Sequence, residues 1–315
     1  MPKIAFLIDP IDTLLPHHDS SIGMMAASIQ LACQVYFFET QDLFLQNHEA
    51  YAHLTPLLST NLNQDIWYQQ GLTKTMALSE MDAIIVRKDP PFDIDYVFMT
   101  YLLAQAEKAG VYVTNPPKTL RDFNEKLTIL NFPELIPPTL IAANKEDLRK
   151  FWDLHQEIIL KPLDGMGGAN VFHIKPRDPN FPVACEVLTG HGKRPIVAQK
   201  YLPEITQGDK RIILFYGEPV EKALVRIPKT NESRANIAAG GSYIFADLSE
   251  RDRYICEQIK PFLLEQNISL VGLDVIGDYI TEINITSPTM LRELSIELGH
   301  DLTYEYMQSV LKYCA

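Results

Sequence analysis

Apolar and polar residues alternate on both sides of Gly277-Asp278 within the segment Leu270–Thr289, and this alternation predicts a β-hairpin. Asp274 on the first arm, and Glu282 and Asn284 on the second, fall on the positions between the apolar residues. A plain two-residue turn would place Asp274 with the apolar face of the second arm. The pattern therefore predicts a three-residue loop or a bulge, which would bring the three polar side chains onto one face.

Three oxygen-bearing side chains on one rigid face suit Mg²⁺, which proteins hold by one or two carboxylates together with nucleotide phosphates. A solvated polar face of an antiparallel sheet is the alternative, and the hairpin pattern alone leaves both open. The segment that follows, Thr286–Thr289, could offer backbone N–H and hydroxyl groups to a carboxylate.

Short apolar runs alternate with helical segments in the first 120 residues and predict a parallel α/β sheet. The runs are Lys3–Ile8, Val35–Glu39, Ala83–Val86 and Val111–Thr114. The loop Arg87–Asp93 leaves the carboxyl end of a strand, where such sheets usually bind ligands. Arg87 could contact a substrate carboxylate there, and an ordinary surface loop is the alternative.

The segment after Asn115 brings a second pattern. Leu120–Leu130 is predicted as a helix that carries Lys126. Ile158–Ile174 is predicted as two strands joined by a glycine-rich loop, with Lys161 at the end of the first strand. The loop glycines, which are Gly165, Gly167 and Gly168, would let backbone N–H groups approach phosphate oxygens, although such a loop is also typical of a flexible turn.

Further strands are predicted at Ile196–Leu202, whose edge could hydrogen-bond an adenine, and on either side of Gly217. Arg211 and Arg226 lie on these two successive strands, so both could point at one anionic centre. Pro228–Gly241 is polar and aperiodic, which makes it a candidate lid. Closing helices are predicted at Glu250–Glu265 and Ser295–Cys314.

Size and composition narrow the class of protein. A chain of 315 residues suits two or three domains. Its net charge of −12 argues against a nucleic-acid or anionic-membrane surface. No apolar stretch approaches the ~20 residues of a membrane span, and the first residues lack a signal-peptide pattern. The 4 cysteines form no C-x-x-C pair, which is typical of reduced thiols in a cytoplasmic protein.

Six segments together resemble the bacterial glutathione synthetases, which are ATP-grasp ligases, and the resemblance covers nearly the whole chain. They are RKDPPFD at 87–93, NPPKTLRDFNEKL at 115–127, ILKPLDGMGGA at 159–169, GDKRI at 208–212, AAGG at 238–241 and VGLDVIGDYITEINITSPT at 271–289. One difference is the segment Lys229–Asn236, which lacks the glycines expected in the family's mobile loop and leaves its closure as a lid in question.

The resemblance implies an N-terminal parallel α/β domain over residues 1–122 and a two-part α+β ATP-grasp fold over residues 123–202 and 203–315. It implies a cytoplasmic, homotetrameric ligase that joins γ-glutamylcysteine to glycine while ATP is cleaved to ADP and phosphate. Two Mg²⁺ ions are implied, with Mn²⁺ as a substitute.

The resemblance also implies roles for individual residues. Lys126 and Lys161 would contact nucleotide phosphates, and the remaining nucleotide-binding residues would be Gly165, Met166, Gly167, Gly168, Gln199, Lys200, Tyr201, Leu202 and Asp209. Asp274, Glu282 and Asn284 would hold the metal ions, with Glu282 bridging them. Arg211 and Arg226 would be catalytic, and the substrate-binding set would be Arg87, Arg211, Arg226, Asn284, Ser287, Pro288 and Thr289.

Other functions remain open at this point. The same fold could join a different acid–amine pair, or it could be an ATP-binding scaffold without catalysis. The complete Asp274, Glu282 and Asn284 set with both arginines argues against a scaffold. A nicotinamide oxidoreductase is disfavoured because no G-x-G-x-x-G follows the first strand.

Overall fold

The computed structural model describes residues 1–62, 64, 66–229, 235 and 241–314. Across these ranges the strands form three sheets, which span residues 3–114, 139–200 and 209–284. No helix in this part of the chain is long and apolar enough to cross a bilayer.

The first sheet has eight strands, and four of them form the predicted parallel core. The strands are β1 (Lys3–Leu7), β2 (Gln34–Phe38), β3 (Leu43–Gln46), β4 (Glu49–Thr60), β5 (Tyr68–Gln70), β6 (Lys74–Ala77), β7 (Ala83–Val86) and β8 (Tyr112–Thr114). The order is β3-β4-β2-β1-β7-β8, with β5 and β6 also paired to β4. Strands β2, β1, β7 and β8 are parallel. The antiparallel extension β3–β6 was not predicted.

Three helices belong to this first part: α1 (Ser20–Gln30), α2 (Ile94–Lys108) and α3 (Pro117–Asp122). The predicted helix Leu120–Leu130 is wrong. Helix α3 ends at Asp122, and the Asn124 side chain accepts hydrogen bonds from the backbone N–H groups of Lys126 at 3.0 Å and Leu127 at 3.2 Å. An asparagine that bonds its own following backbone competes with the helix, so Lys126 lies in a turn.

The second sheet is four-stranded and antiparallel, and it has its own core. Its strands and helices are β9 (Thr139–Ala142), α4 (Lys145–His155), β10 (Ile158–Pro162), β11 (Phe172–Ile174), α5 (Phe181–Thr189) and β12 (Ile196–Lys200). Leu148, Trp152 and Phe181 pack with the sheet in a cluster separate from the rest of the described core. The second sheet therefore has a hydrophobic core of its own.

The third sheet is antiparallel and carries the last helices. Its elements are β13 (Asp209–Phe215), β14 (Glu218–Pro219), β15 (Lys222–Ile227), β16 (Ser242–Asp247), α6 (Glu250–Glu265), β17 (Leu270–Ile276), β18 (Tyr279–Asn284), α7 (Leu291–Leu298) and α8 (Leu302–Val310). The predicted helix Ser295–Cys314 is wrong as one element, because Gly299 adopts φ +76° and ends α7. The order is β16-β15-β13-β17-β18.

The predicted hairpin forms, and it uses the bulge. Asp274 pairs with Glu282, whereas Val275 pairs with Ile280, so Thr281 is the extra residue. Gly277 at φ +56° makes the tight turn. Asp274, Glu282 and Asn284 consequently share the polar face of β17 and β18, as the alternation predicted.

Two buried clusters join the first and third sheets. Leu7 and Val113 pack in one cluster with Ile212 and Leu273, and Phe6 packs with Tyr306 in the other. The first and third sheets thus share a hydrophobic core, whereas the second sheet has a separate one. The domain limits at 122/123 and 202/203 fall between sheets and stay predictions.

Candidate active site

A cavity with about 850 Å³ of empty space, partly open to solvent, lies between the second and third sheets. The predicted nucleotide-binding residues that line it are Lys126, Lys161, Gly165, Met166, Gly167, Gly168, Gln199, Lys200, Tyr201, Leu202 and Asp209. Asp274 and Glu282 also line it. The structure therefore brings the complete predicted nucleotide set and two of the three predicted metal ligands to one place.

Two buried lysines and Glu282 mark one end of this cavity. The Lys161 Nζ atom lies 3.4 Å from Glu282 Oε1 and donates to the Thr281 carbonyl at 3.1 Å. The Lys126 Nζ atom lies 3.9 Å from the same carboxylate oxygen. Burial works to raise the pKa of Glu282, but the charges of Lys126 and Lys161 outweigh it and lower that pKa. This end of the cavity is suited to bind anionic oxygens.

The glycine-rich loop joins β10 to β11 and is tied to Lys126. Gly167 and Gly168 have backbone φ values of +62° and +77°, which residues other than glycine rarely adopt. The Lys126 Nζ atom donates to the Gly165 carbonyl at 2.5 Å. Lys126 thus contacts both the loop and the carboxylate of β18.

Residues of the second sheet hold Gln199 and Tyr201, which line another part of the cavity. Gln199 donates from Nε2 to Thr139 Oγ1 at 3.0 Å. Tyr201 stacks on His173 with ring centroids 4.1 Å apart, and His173 Nε2 lies 2.7 Å from Glu157 Oε1. Sequence reasoning missed His173 and Glu157, because the three residues come from separate segments and only the strand pairing brings them together.

Four adjacent strands place a row of charged side chains, two arginines and three carboxylates, on one face of the third sheet. Arg226 on β15 is opposite Asp209 on β13. Arg211, two residues after Asp209, is opposite Asp274 on β17, which is in turn opposite Glu282 on β18. Residues two apart on a strand and residues paired across strands share a face, so the register alone explains why these five side chains meet.

The arginines and aspartates of this row form a buried network. Arg211 binds Asp274 through two bonds, Nε to Oδ1 at 2.6 Å and Nη2 to Oδ2 at 3.1 Å. Arg226 Nη2 lies 2.5 Å from Asp209 Oδ2 and 3.0 Å from Asp274 Oδ2. Burial alone would raise the pKa of Asp274. The charges of the Arg211 and Arg226 guanidinium groups outweigh this effect and hold the pKa well below its usual range.

Part of the network keeps unsatisfied polar atoms. Asp209 Oδ1 and Arg226 Nε are buried and have no hydrogen-bond partner among the described residues. Burial raises the pKa of Asp209 to about 7, although Arg226 lies against it. Buried atoms of this kind normally have partners, and their presence beside a cavity indicates a place where a ligand completes the bonding.

The predicted metal ligands fit a divalent cation to different degrees. Glu282 lines the cavity, and Asn284 uses its Nδ2 to donate to the Gly272 carbonyl at 3.0 Å, which leaves its Oδ1 for a cation. Asp274 already accepts from two arginines. Within the described ranges, His, Cys, Asp and Glu side chains form no group of three or more that could hold a metal ion. Carboxylate and amide oxygens nevertheless match the ligand chemistry of Mg²⁺.

The remaining predicted substrate residues lie at the junction of the first and third sheets. Arg87 Nη2 donates to the Pro288 carbonyl at 3.0 Å, and Ser287 Oγ donates to the Arg87 carbonyl at 3.4 Å. Arg87 Nη1 is buried without a partner among the described residues. The structure therefore joins Arg87 to the turn that contains Ser287, Pro288 and Thr289, but away from the large cavity.

The candidate lid is only partly described. Of the segment Pro228–Gly241, residues 230–234 and 236–240, which include most of the glycine-poor stretch, lie outside the described residues. Ala235 is described and lines the large cavity.

Two family models match consecutive parts of the chain. The one described as prokaryotic glutathione synthetase, N-terminal domain, matches residues 2–121, and the one described as prokaryotic glutathione synthetase, ATP-grasp domain, matches residues 125–298. The chain belongs to the prokaryotic glutathione synthetase family. The predicted fold class and the prediction of an ATP-dependent ligase are thereby confirmed.

Curated glutathione synthetases are similar in sequence to this chain over nearly their whole length. This chain is 46% identical to that of Nitrosomonas europaea over 299 residues, which is 94% of this chain and 93% of the relative. It is 44% identical to that of Escherichia coli over 310 residues, 98% of each chain. It is 46% identical to that of Pseudomonas aeruginosa over 292 residues, 93% of this chain and 92% of the relative.

Solved structures show how widely the fold extends. D-cycloserine synthetase DcsG superposes with a TM-score of 0.71 at 11% identity, covering 99% of this chain and 100% of that one. A RiPP-associated ATP-grasp ligase of Chryseobacterium gregarium, solved with ADP and peptides, gives 0.66 at 16% identity, covering 100% of this chain and 98% of that one. At these identities the likeness establishes the fold alone.

Proposed function

We propose that this glutathione synthetase family member joins the cysteinyl carboxylate of γ-glutamylcysteine to the amine of glycine in the cavity between the second and third sheets. Family membership supports ATP-dependent formation of glutathione as the overall reaction. One observation supports the location most directly: two lysines, Glu282 and the paired Arg211–Asp274 meet at one end of a cavity that is suited to a nucleotide.

The first chemical step is phosphorylation of the peptide carboxylate. A carboxylate is a poor electrophile because its charge is delocalised and its leaving group would be oxide. An oxygen of the carboxylate attacks the γ-phosphorus of ATP, the bond to the β-phosphate oxygen breaks, and ADP leaves. Such transfer is catalysed chiefly by position and by cations on the transferring oxygens, which Lys126 and Lys161 supply.

The second step is attack of the glycine amine on the acyl phosphate. The neutral amine nitrogen bonds to the carbonyl carbon, the oxyanion collapses as the bond from that carbon to the bridging oxygen breaks, and inorganic phosphate leaves with this oxygen and the proton that the nitrogen loses. Arg226 and Arg211 provide fixed positive charge near this centre, and their ion pairs with Asp274 hold them in place. Water would hydrolyse the acyl phosphate, so a lid at residues 228–241 would have a chemical purpose.

Divalent cations complete the proposal. Glu282 and Asn284, with Asp274 as a further candidate, would hold Mg²⁺ or Mn²⁺, which screens the charge of the nucleotide phosphates. Arg87 and the turn Ser287–Thr289 would bind the peptide's free carboxylate. We further propose a cytoplasmic homo-oligomer, with a tetramer as the expected state.

Omission of substrates tests the function. Phosphate release is measured with Mg-ATP and γ-glutamylcysteine plus glycine, and with each acceptor alone, while mass spectrometry follows the tripeptide. The proposal expects sustained release only with both substrates, in equal amount to glutathione. Release with another acid–amine pair but not with this one would overturn the substrate assignment, and nucleotide binding without turnover on any pair would indicate a scaffold.

A further inference from the structure

Glu125 connects three parts of the site, although no pattern in the sequence singles it out. It immediately precedes Lys126 in the turn that replaces the predicted helix. Its side-chain oxygen Oε1 accepts three hydrogen bonds: from the Ile285 N–H at 2.9 Å, the Thr286 N–H at 3.0 Å and Thr286 Oγ1 at 2.8 Å. The Glu125 carbonyl accepts a fourth, from the Ile283 N–H at 3.0 Å.

These four bonds attach the Lys126 segment to the end of β18 like a short extra strand. Ile283 and Ile285 flank Asn284, a predicted metal ligand, and Thr286 begins the turn that meets Arg87 through Pro288. On the other side, Lys126 Nζ reaches Gly165 of the glycine-rich loop and Glu282. Glu125 therefore links three features of the proposed site: the lysine Lys126, the end of β18 that carries Asn284, and the turn that begins at Thr286.

The bonds of Glu125 are not needed merely to attach this segment to the third part of the chain. Thr119, six residues earlier, already connects α3 to the end of α6 through Thr119 Oγ1, which donates to the Gln266 carbonyl at 2.8 Å. That bond is remote from the cavity, whereas the Glu125 bonds all end at the site. Three donors on one carboxylate oxygen hold a side chain in one orientation, because leaving any of them unpaired in a buried place is costly.

We infer that Glu125 is a positioning residue that sets Lys126 and the turn Thr286–Thr289 in register with each other, so that the nucleotide and the peptide substrate meet in reactive geometry. The inference rests on the proposed function for its kinetic part, but its effect on nucleotide binding does not. Glu125 acts through an acceptor oxygen and not through contact with substrate, so an uncharged acceptor of the same shape can replace it.

Three variants and one control test the inference. Glu125→Ala removes the acceptor, Glu125→Gln keeps it without the charge, and Thr286→Val removes one of the three donors from the opposite side. Thr119→Val is the control, since it removes a side-chain hydrogen bond between α3 and the end of α6, away from the cavity. For each we measure the melting temperature, the ADP affinity by calorimetry, and kcat with the KM values of ATP, γ-glutamylcysteine and glycine.

We expect Glu125→Ala to weaken ADP binding and to lower kcat by roughly tenfold to a hundredfold, as small misplacements of reacting groups do. Glu125→Gln should stay within about threefold of the parent, because the acceptor is kept. Thr286→Val should shift the same parameters in the same direction by less, and Thr119→Val should lower only the melting temperature.

Other outcomes overturn the inference. Unchanged ADP affinity and kinetics in folded Glu125→Ala, or in Thr286→Val if the alanine variant does not fold, would make the bonds merely structural. A Glu125→Gln variant as impaired as Glu125→Ala would mean that the negative charge beside Lys126, and not the acceptor geometry, is what the site needs. If the parent protein bound ADP but did not turn over, the proposed function would fail while the calorimetric comparison still decided the role of Glu125.

Discussion

Arg211 and Asp274 form a two-point ion pair across β13 and β17, from residues directly opposite in the ladder. The pair is buried, Asp274 lines the large cavity, and Arg226 joins the pair from β15. The two bonds hold the Arg211 guanidinium at a fixed position relative to Glu282, which is opposite Asp274 on β18.

Arg211→Lys tests this geometry. Lysine keeps the charge but cannot make two parallel bonds to a carboxylate. We expect kcat to fall by about a hundredfold and the free energy of unfolding to fall by about 1–3 kcal/mol, measured by steady-state kinetics and urea unfolding. Lys210→Arg, at the neighbouring position whose side chain pairs with Asp252, is the control and should stay near parental activity. Parental activity in Arg211→Lys would contradict a role for the two-point bond between Arg211 and Asp274.

Gly272 tests the same arginine by steric means. A Cβ atom at this position would lie 2.9 Å from Arg211 Cδ and 3.2 Å from Pro288 Cβ. We expect Gly272→Ala to displace the guanidinium and to lower kcat by roughly tenfold, with a modest fall in melting temperature. Gly71→Ala, whose nearest neighbour would be Pro56 Cγ at 3.3 Å, serves as control. Equal loss of activity in both variants would show a general packing effect.

Glu282→Gln separates chemistry from folding. The side chain is only partly buried and contacts Lys126 and Lys161, so its removal should leave the fold intact while it abolishes most ligation. Glu218→Gln removes an exposed glutamate that pairs with Lys260 and should be silent. Turnover and circular dichroism are measured side by side. Near-normal turnover of Glu282→Gln with Mg²⁺ would refute the assignment of this residue to the metal.

Chelation tests whether metal is catalytic or structural. Glu282 lines a partly open cavity and is only partly buried, and Asn284 is also only partly buried, so removal of divalent cations should stop phosphate release and leave the circular dichroism spectrum and melting temperature almost unchanged. Added Mg²⁺ or Mn²⁺ should restore activity. Loss of structure on chelation, or full activity without metal, would contradict the proposal.

The sequence predicted those parts of the site that depend on strand periodicity. The polar face of Asp274, Glu282 and Asn284 follows from a period of two, and the need for a bulge follows from the apolar residues on the second arm. Arg211 and Arg226 were expected to be able to point at one centre, and in the structure both side chains contact Asp274, although the register pairs Arg226 with Asp209.

Features that depend on contacts between distant segments could not be predicted. Lys126 was assigned to a helix because nothing local revealed that Asn124 would cap a new turn. Glu125 and His173 have partners about 160 and 16 residues away, and only the folded chain shows those bonds. The antiparallel strands within residues 43–77 were likewise missed: Leu43–Gln46 does not alternate, and the inward positions 50 and 52 of Glu49–Thr60 are alanines, which give only a weak apolar signal.

The central claim is that the peptide carboxylate is phosphorylated before the amine attacks, and an oxygen label tests it most directly. γ-Glutamylcysteine carrying ¹⁸O in its cysteinyl carboxylate is turned over with Mg-ATP and glycine, and the released phosphate is analysed by mass spectrometry. The mechanism predicts one ¹⁸O atom in each phosphate formed from fully labelled substrate, because the attacking oxygen leaves as the bridging oxygen. Phosphate without ¹⁸O, released in step with glutathione, would contradict an acyl phosphate and the roles assigned here to Lys126, Lys161 and the two arginines.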